Sequence, residues 1–304
     1  MTVPVRRSYV DGRHGQMHVR LAGTTGATLP PLLCIHMSPM TGRVFEQVMA
    51  LMGDDRQVVA FDTPGFGMSD APAEPPRIED YAVDLLAGLD ALGLTGPFDV
   101  FGYHTGSMIA VALSQLAPAR VRRIVMISAP IFPAEERKAF NAHYGHRAPD
   151  AEGTHILRRW KSFLYHHQRP GVTLSAVNES FKDALLGGET EWWGHSAAFA
   201  YDLEDDMRLV TCPVLVLNTG DDLDVQTRRA EGLRDNIRIL EVPGWGHGFL
   251  EQHPADVAGV LHSFLDAAEG AEFAALAAPP SATGPRYPQK VGSFAPEPDT
   301  QASA

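Results

Sequence analysis

The sequence predicts an α/β fold: a mostly parallel, eight-stranded sheet flanked by helices and interrupted once by a helical insertion. Three observations predict it. Short apolar runs alternate with longer amphipathic ones on either side of a central stretch, the rhythm of strands covered by helices. The short runs are continuously apolar, as strands buried on both faces are. Between Pro130 and Thr211 that rhythm stops.

Taken in order, Ser8–Val10 and Met17–Leu21 read as an antiparallel pair, with Asp11, Gly12 and Gly15 supplying the turn. Leu32–His36, Val58–Asp62, Asp99–Gly102 and Ile124–Ser128 are compact buried strands, and Val214–Asn218 and Ile237–Val242 complete the sheet. Helical spacing marks Tyr81–Leu92, Thr105–Leu116, Thr227–Leu233 and Ala255–Ala267. Pro254 stands in the first turn of the last helix, where its missing N–H costs little. The domain reading is therefore a core of residues 1–130 and 212–268, with a helical lid over 131–211. From 269 to 304 the chain is rich in Ala, Pro and Ser, a composition that predicts a disordered tail.

Composition narrows the function classes. With 44% hydrophobic and 20% charged residues in 304, the chain can bury one large domain. A net charge of -12 argues against a nucleic-acid or anionic-membrane partner, leaving a small-molecule substrate as the expected one. No run approaches the roughly 20 apolar residues of a membrane span. Met1–Arg7 lacks the apolar stretch of a signal peptide, so the expected location is cytoplasmic. Cys34 and Cys212 sit in apolar runs and read as inert core thiols. Oligomeric state has no signature.

The most informative segment is Gly102-Tyr103-His104-Thr105-Gly106, between a strand and a helix. It has the form of the Gly-x-Ser-x-Gly elbow that lifts a nucleophile clear of a sheet, with His104 at its centre. Three other stretches join it. Leu32–Pro39 is similar to an oxyanion strand-loop of the His-Gly-x-Pro type, and Asp62–Ser69 to an Asp-x-x-Gly-x-Gly-x-Ser run. Asn218–Val225 with Pro243–Gly248 supplies an acid and a histidine. In this order they resemble the α/β-hydrolase superfamily, in its lidded esterase, dehalogenase and C–C-hydrolase branch. The resemblance covers roughly residues 8–130 and 212–268 and implies the α/β-hydrolase fold, no cofactor and no metal.

The resemblance also implies an order of nucleophile, acid and histidine, which falls on His104, Asp222 and His247. Three aspartates compete for the acid: register against Val225 selects Asp222, with Asp221 and Asp224 expected as solvated loop or capping residues, and a slip of one residue would exchange them. A carboxylate behind His247 would fix its tautomer, and the surrounding glycines leave room for its ring. Oxyanion donors are expected from the amide of Thr105 and from the loop after His36, where Met37 replaces a glycine and Ser38 adds a hydroxyl.

An imidazole at the elbow leaves three readings open. His104 attacks an activated carbonyl; or His104 and His247 work as an acid–base pair; or the site binds a ligand without turning it over. The leading expectation is hydrolysis of an ester, lactone or C–C bond of a small apolar carbonyl compound by a His-Asp-His site. A lyase or isomerase is next, and a silent ligand-binding homologue last. His36, His104, Asp222 and His247 would be a metal set in principle, but no short ligand spacing supports it.

Overall fold

Strands whose every residue is apolar must be covered on both faces, and the centre of this chain is built that way. The computed structural model describes residues 2–24, 26–167 and 171–284. A hairpin, β1 (Arg6–Gly12) and β2 (Gly15–Ala22), leads to β3 (Leu32–Ile35), α1 (Glu46–Met52), β4 (Val58–Phe61) and α2 (Ile78–Ala91). Next come β5 (Phe98–Tyr103), α3 (Thr105–Leu116) and β6 (Val121–Ile127). The last two strands are β7 (Val214–Asn218) and β8 (Ile237–Glu241). The eight strands form one sheet in the order β1-β2-β4-β3-β5-β6-β7-β8, antiparallel only in the β1–β2 and β2–β4 pairings.

Alternation along the strands divides the interior in two. From β3, Leu33 and Ile35 join the core under α2 and α3, while Leu32 and Cys34 join the opposite core. That second core contains Met49 of α1, Phe249 of α10 (Phe249–Gln252) and Phe264 of α11 (Pro254–Leu265). Pro254 opens α11 as expected. Burial pushes the thiols of Cys34 and Cys212 up, so neither is a nucleophile at neutral pH.

Between β6 and β7 the chain forms α4 (Ala134–His143), α5 (Thr154–His167), α6 (Leu174–Leu185), α7 (Trp193–Ala200) and α8 (Leu203–Met207). Phe199 of α7 packs on Phe132 and Phe140, joining this insertion to the end of β6.

Three local expectations change. The helix after β7 is α9 (Asp224–Arg228), earlier than Thr227–Leu233, because buried Thr227 turns inward to accept the Ala129 N–H at 3.0 Å. α2 begins at Ile78 rather than Tyr81, because the Asp80 carboxylate accepts the Arg77 N–H at 2.9 Å and caps an extra turn. The tail is the larger correction. Residues 269–284 are placed against the core: Phe273 and Leu276 pack on the α11 side, Ala282 is fully buried, and Glu272 pairs with buried Arg123 at 3.1 Å. A few apolar side chains and one buried ion pair anchor a segment whose composition alone suggests disorder. The remainder of the expected tail, 285–304, lies outside the described residues.

Candidate active site

The turn from β5 into α3 leaves no freedom in its flanking residues. A Cβ on Gly102 would lie 2.4 Å from the Gly106 carbonyl oxygen, and one on Gly106 would lie 2.0 Å from that of Ile35. His104, between them, holds φ 48° and ψ -105°. Such a conformation costs a non-glycine residue roughly 1–3 kcal/mol, and the bond from its N–H to the Ile127 carbonyl (3.0 Å) helps to hold it. The imidazole is thus raised off the end of the sheet, with a side chain 14% exposed.

Behind it lies Asp221, and here the sequence reading is corrected. Asp221 is buried, not solvated. Its Oδ2 lies 2.8 Å from His104 Nε2 and also accepts from the hydroxyls of Ser128 and Thr219, each at 2.8 Å. Oδ1 accepts the Leu223 N–H at 2.9 Å. Ser128 itself stands at φ 60°, a second strained residue serving the same carboxylate. Burial alone would raise the Asp221 pKa, but His104 outweighs it and the group is held below the usual carboxylate range. An ionised Asp221 fixes the proton of His104 on Nε2, and Nδ1 has no hydrogen-bond partner among the described residues.

Asp222 makes a second, separate pair: its Oδ1 lies 2.7 Å from His247 Nε2. Burial opposes ionisation here too, yet the bond to His247 and the positive field of neighbouring histidines hold the carboxyl far below its ordinary value. His247 Nδ1 is 3.3 Å from the Tyr103 hydroxyl. The His104 and His247 rings meet edge to face, 5.4 Å between centroids. Asp224, the third aspartate of the loop, accepts from the Asn218 side chain at 2.9 Å, away from both histidines.

The loop after β3 forms another wall. His36 Nε2 accepts the Thr63 N–H (2.9 Å), so its Nδ1–H donates to the Met37 carbonyl (2.9 Å). Burial lowers the His36 pKa, keeping that ring neutral. With both nitrogens used inside the loop, His36 is a staple and drops out of the metal set read from sequence. The N–H groups of Met37 and Thr105 have no acceptor among the described residues. The Ser38 hydroxyl abuts α7, within 1.9 Å of where a Cβ on Gly194 would stand.

The insertion brings imidazoles of its own. His166 and His167, at the end of α5, lie 5.6 Å and 4.9 Å from His247 between ring centroids. His195 of α7 stacks on Tyr144 at 4.6 Å. Burial lowers the pKa of all three, that of His195 to about 4. Sequence reasoning ranked Asp221 behind Asp222 and missed Tyr103. The Asp221-Asp222 doublet was the available signal for the first; for Tyr103 there was only its place beside His104.

Residues 32–260 match the alpha/beta hydrolase family. The chain belongs to it. This alpha/beta hydrolase is 29% identical to a 2-hydroxymuconate semialdehyde hydrolase from a Pseudomonas species over 266 residues, 79% of this chain and 88% of that one. It is 27% identical to a 2-(acetamidomethylene)succinate hydrolase of Mesorhizobium japonicum over 252 residues, 78% of this chain and 88% of the relative. Among solved structures, the enol-lactonase of Burkholderia xenovorans superposes with a TM-score of 0.68 at 20% identity, over 86% of this chain and all of that one. Family and relatives make the protein a hydrolase-type enzyme, and among the described residues no helix is long and apolar enough to cross a membrane.

Proposed function

We propose that this alpha/beta hydrolase cleaves an ester, lactone or C–C bond of a small, largely apolar carbonyl compound, using two His–Asp pairs and no serine. The observation that carries this reading is the 2.8 Å contact between His104 Nε2 and Asp221, which leaves Nδ1 as the lone-pair nitrogen at the elbow. A neutral imidazole with a buried carboxylate behind it is a general base, because the carboxylate stabilises the imidazolium that forms.

In this mechanism a water attacks the carbonyl carbon while His104 Nδ1 takes its proton. The carbonyl electrons move onto oxygen, where the Met37 and Thr105 amides donate to the oxyanion. Collapse re-forms the carbonyl and expels an alkoxide or carbanion. His247 enters protonated, with Asp222 stabilising the imidazolium, and donates its Nδ1 proton to it in exchange for the contact with Tyr103; solvent then reprotonates His247 and takes from His104 the proton that came from the water. The helices between β6 and β7 act as the lid, and their neutral histidines and aromatic rings favour an apolar substrate. The hydrolytic relatives support the same reaction class.

The facing of two His–Asp pairs also favours a second reading, a lyase or isomerase that removes a proton at one imidazole and returns it from the other. One screen separates the two. Wild type and His104→Ala are offered esters, lactones and β-diketones in water enriched in heavy oxygen. Hydrolysis puts the label into an acid product that His104→Ala forms at least about a thousandfold more slowly. Turnover without label selects the lyase or isomerase, and full activity of His104→Ala removes the role given to His104. Intact mass after a rapid quench should show no acyl adduct on His104.

A further inference from the structure

The four side chains of the two pairs also form a group that sequence spacing does not reveal. One ligand-type atom from each of His104, Asp221, Asp222 and His247 can be chosen so that all four lie within 4.8 Å of one another. Points within that distance of one another fit inside a sphere of radius about 2.9 Å, and first-row metal–ligand distances are about 2.0–2.2 Å. Donors at the surface of that sphere therefore need to move inward by less than about 1 Å to meet a common centre, while the hydrogen-bonded His104–Asp221 and His247–Asp222 pairs, at 2.8 and 2.7 Å, spread as their shared protons leave. We propose that these residues form a binding site for a divalent first-row transition ion of the zinc type, held by two imidazoles and two carboxylates.

Three further observations favour it. The donor set is mixed nitrogen and oxygen, which suits zinc, cobalt or nickel rather than calcium or magnesium. The supporting shell of such a site is in place: the Ser128 and Thr219 hydroxyls and the Leu223 amide orient Asp221, and the Tyr103 hydroxyl stands at the far nitrogen of His247. Charge agrees as well. One divalent ion would match the two adjacent carboxylates, Asp221 and Asp222, that face the two histidines. His167 adds another imidazole 4.9 Å from His247 between ring centroids, with its Nδ1 3.0 Å from the Phe163 carbonyl.

The proposal takes its location from the hydrolytic reading but not its chemistry, and the two can fail separately. With an ion bound, water would be activated by the metal in place of His104.

The test uses the full chain without a histidine tag, stripped with a chelator and dialysed against Zn²⁺ or Co²⁺ at about 100 μM, followed by elemental analysis and titration calorimetry. Expected are about one equivalent of ion and Co²⁺ visible bands of a four- or five-coordinate N/O site, with affinity at least about 100-fold weaker in His104→Ala and in Asp221→Asn. His262→Ala is the control, because Asp55, His262 and Asp266 form an exposed cluster of similar type. Less than about a tenth of an equivalent in folded wild type overturns the proposal. So does an ion lost in His262→Ala but retained when His104 and His247 are both alanine. The Co²⁺ spectrum of wild type decides the matter even where a variant does not fold. Hydrolysis by metal-free protein that takes up no ion leaves the proposed function standing and removes the metal; one bound ion with no hydrolysis does the reverse.

Discussion

His104 Nε2 lies 2.8 Å from Asp221 Oδ2, while its sequence neighbour Asp222 lies 2.7 Å from His247 Nε2. Adjacent aspartates therefore serve different histidines, and removing each should have a different signature. Asp221→Asn leaves His104 without a charge to stabilise its imidazolium, and kcat should fall by about 10²–10⁴ with KM little changed. Asp222→Asn acts on the leaving-group side, so its loss should be larger for substrates with poor leaving groups than for activated esters. Steady-state kinetics on a leaving-group series checks both; equal losses across the series in both variants would contradict separate roles.

Tyr103 is buried, with its hydroxyl 3.3 Å from His247 Nδ1. Tyr103→Phe keeps the ring against His104 and removes the hydroxyl. We expect kcat to fall about tenfold and stability by about 1 kcal/mol, read by kinetics and urea unfolding. An unchanged kcat would make Tyr103 a packing residue.

The elbow was legible in the sequence because its steric demand is written as two glycines at fixed spacing, with Gly106 pressed on the Ile35 carbonyl. The central parallel strands were legible for a similar reason: two-sided burial makes β3 and β4 wholly apolar and leaves β5, β6 and β7 mostly so. Which aspartate faces inward was not legible. That choice is made by Ser128, at the end of β6, and Thr219, just after β7, whose hydroxyls converge on Asp221 only once the strands lie side by side. Nor could spacing bring the histidines of the insertion to His247, since α5 lies some eighty residues from it along the chain.

Acid should loosen the insertion first. Burial holds His195 at about 4, below its ordinary value of 6.5, beside Tyr144 and Phe199 and within the fields of His104, His166, Arg159 and Asp222. Between those values the unfolded chain binds a proton that the folded one does not. Stability is therefore complete above about 6.5 and is lost as pH falls toward 4, by on the order of 2–3 kcal/mol from this group. His195→Phe should flatten the fall in melting temperature across that window. A variant as acid-sensitive as wild type would place the sensitivity elsewhere.

The segment after α11 should be structural. Arg123 is buried, and its guanidinium donates to the carbonyls of Phe264, Leu265 and Ala267 and to Glu272 Oε1. Glu272 is the only anion in that set, so ending the chain at residue 268 leaves a buried cation without its ion-pair partner. The same cut removes the Ala282 carbonyl that accepts the Gly244 N–H at 2.8 Å and the Ser281 hydroxyl that accepts from Trp245 Nε1 at 3.1 Å. Both bonds hold the loop that carries His247. Truncation after 268 should therefore cost about 3–5 kcal/mol, as breaking a buried ion pair does, and lower kcat more than it raises KM. Glu272→Gln, which keeps the chain, separates the two effects: it should reproduce most of the stability loss and little of the kinetic one. If the truncated protein melts with wild type, this packing contributes nothing to the folded state.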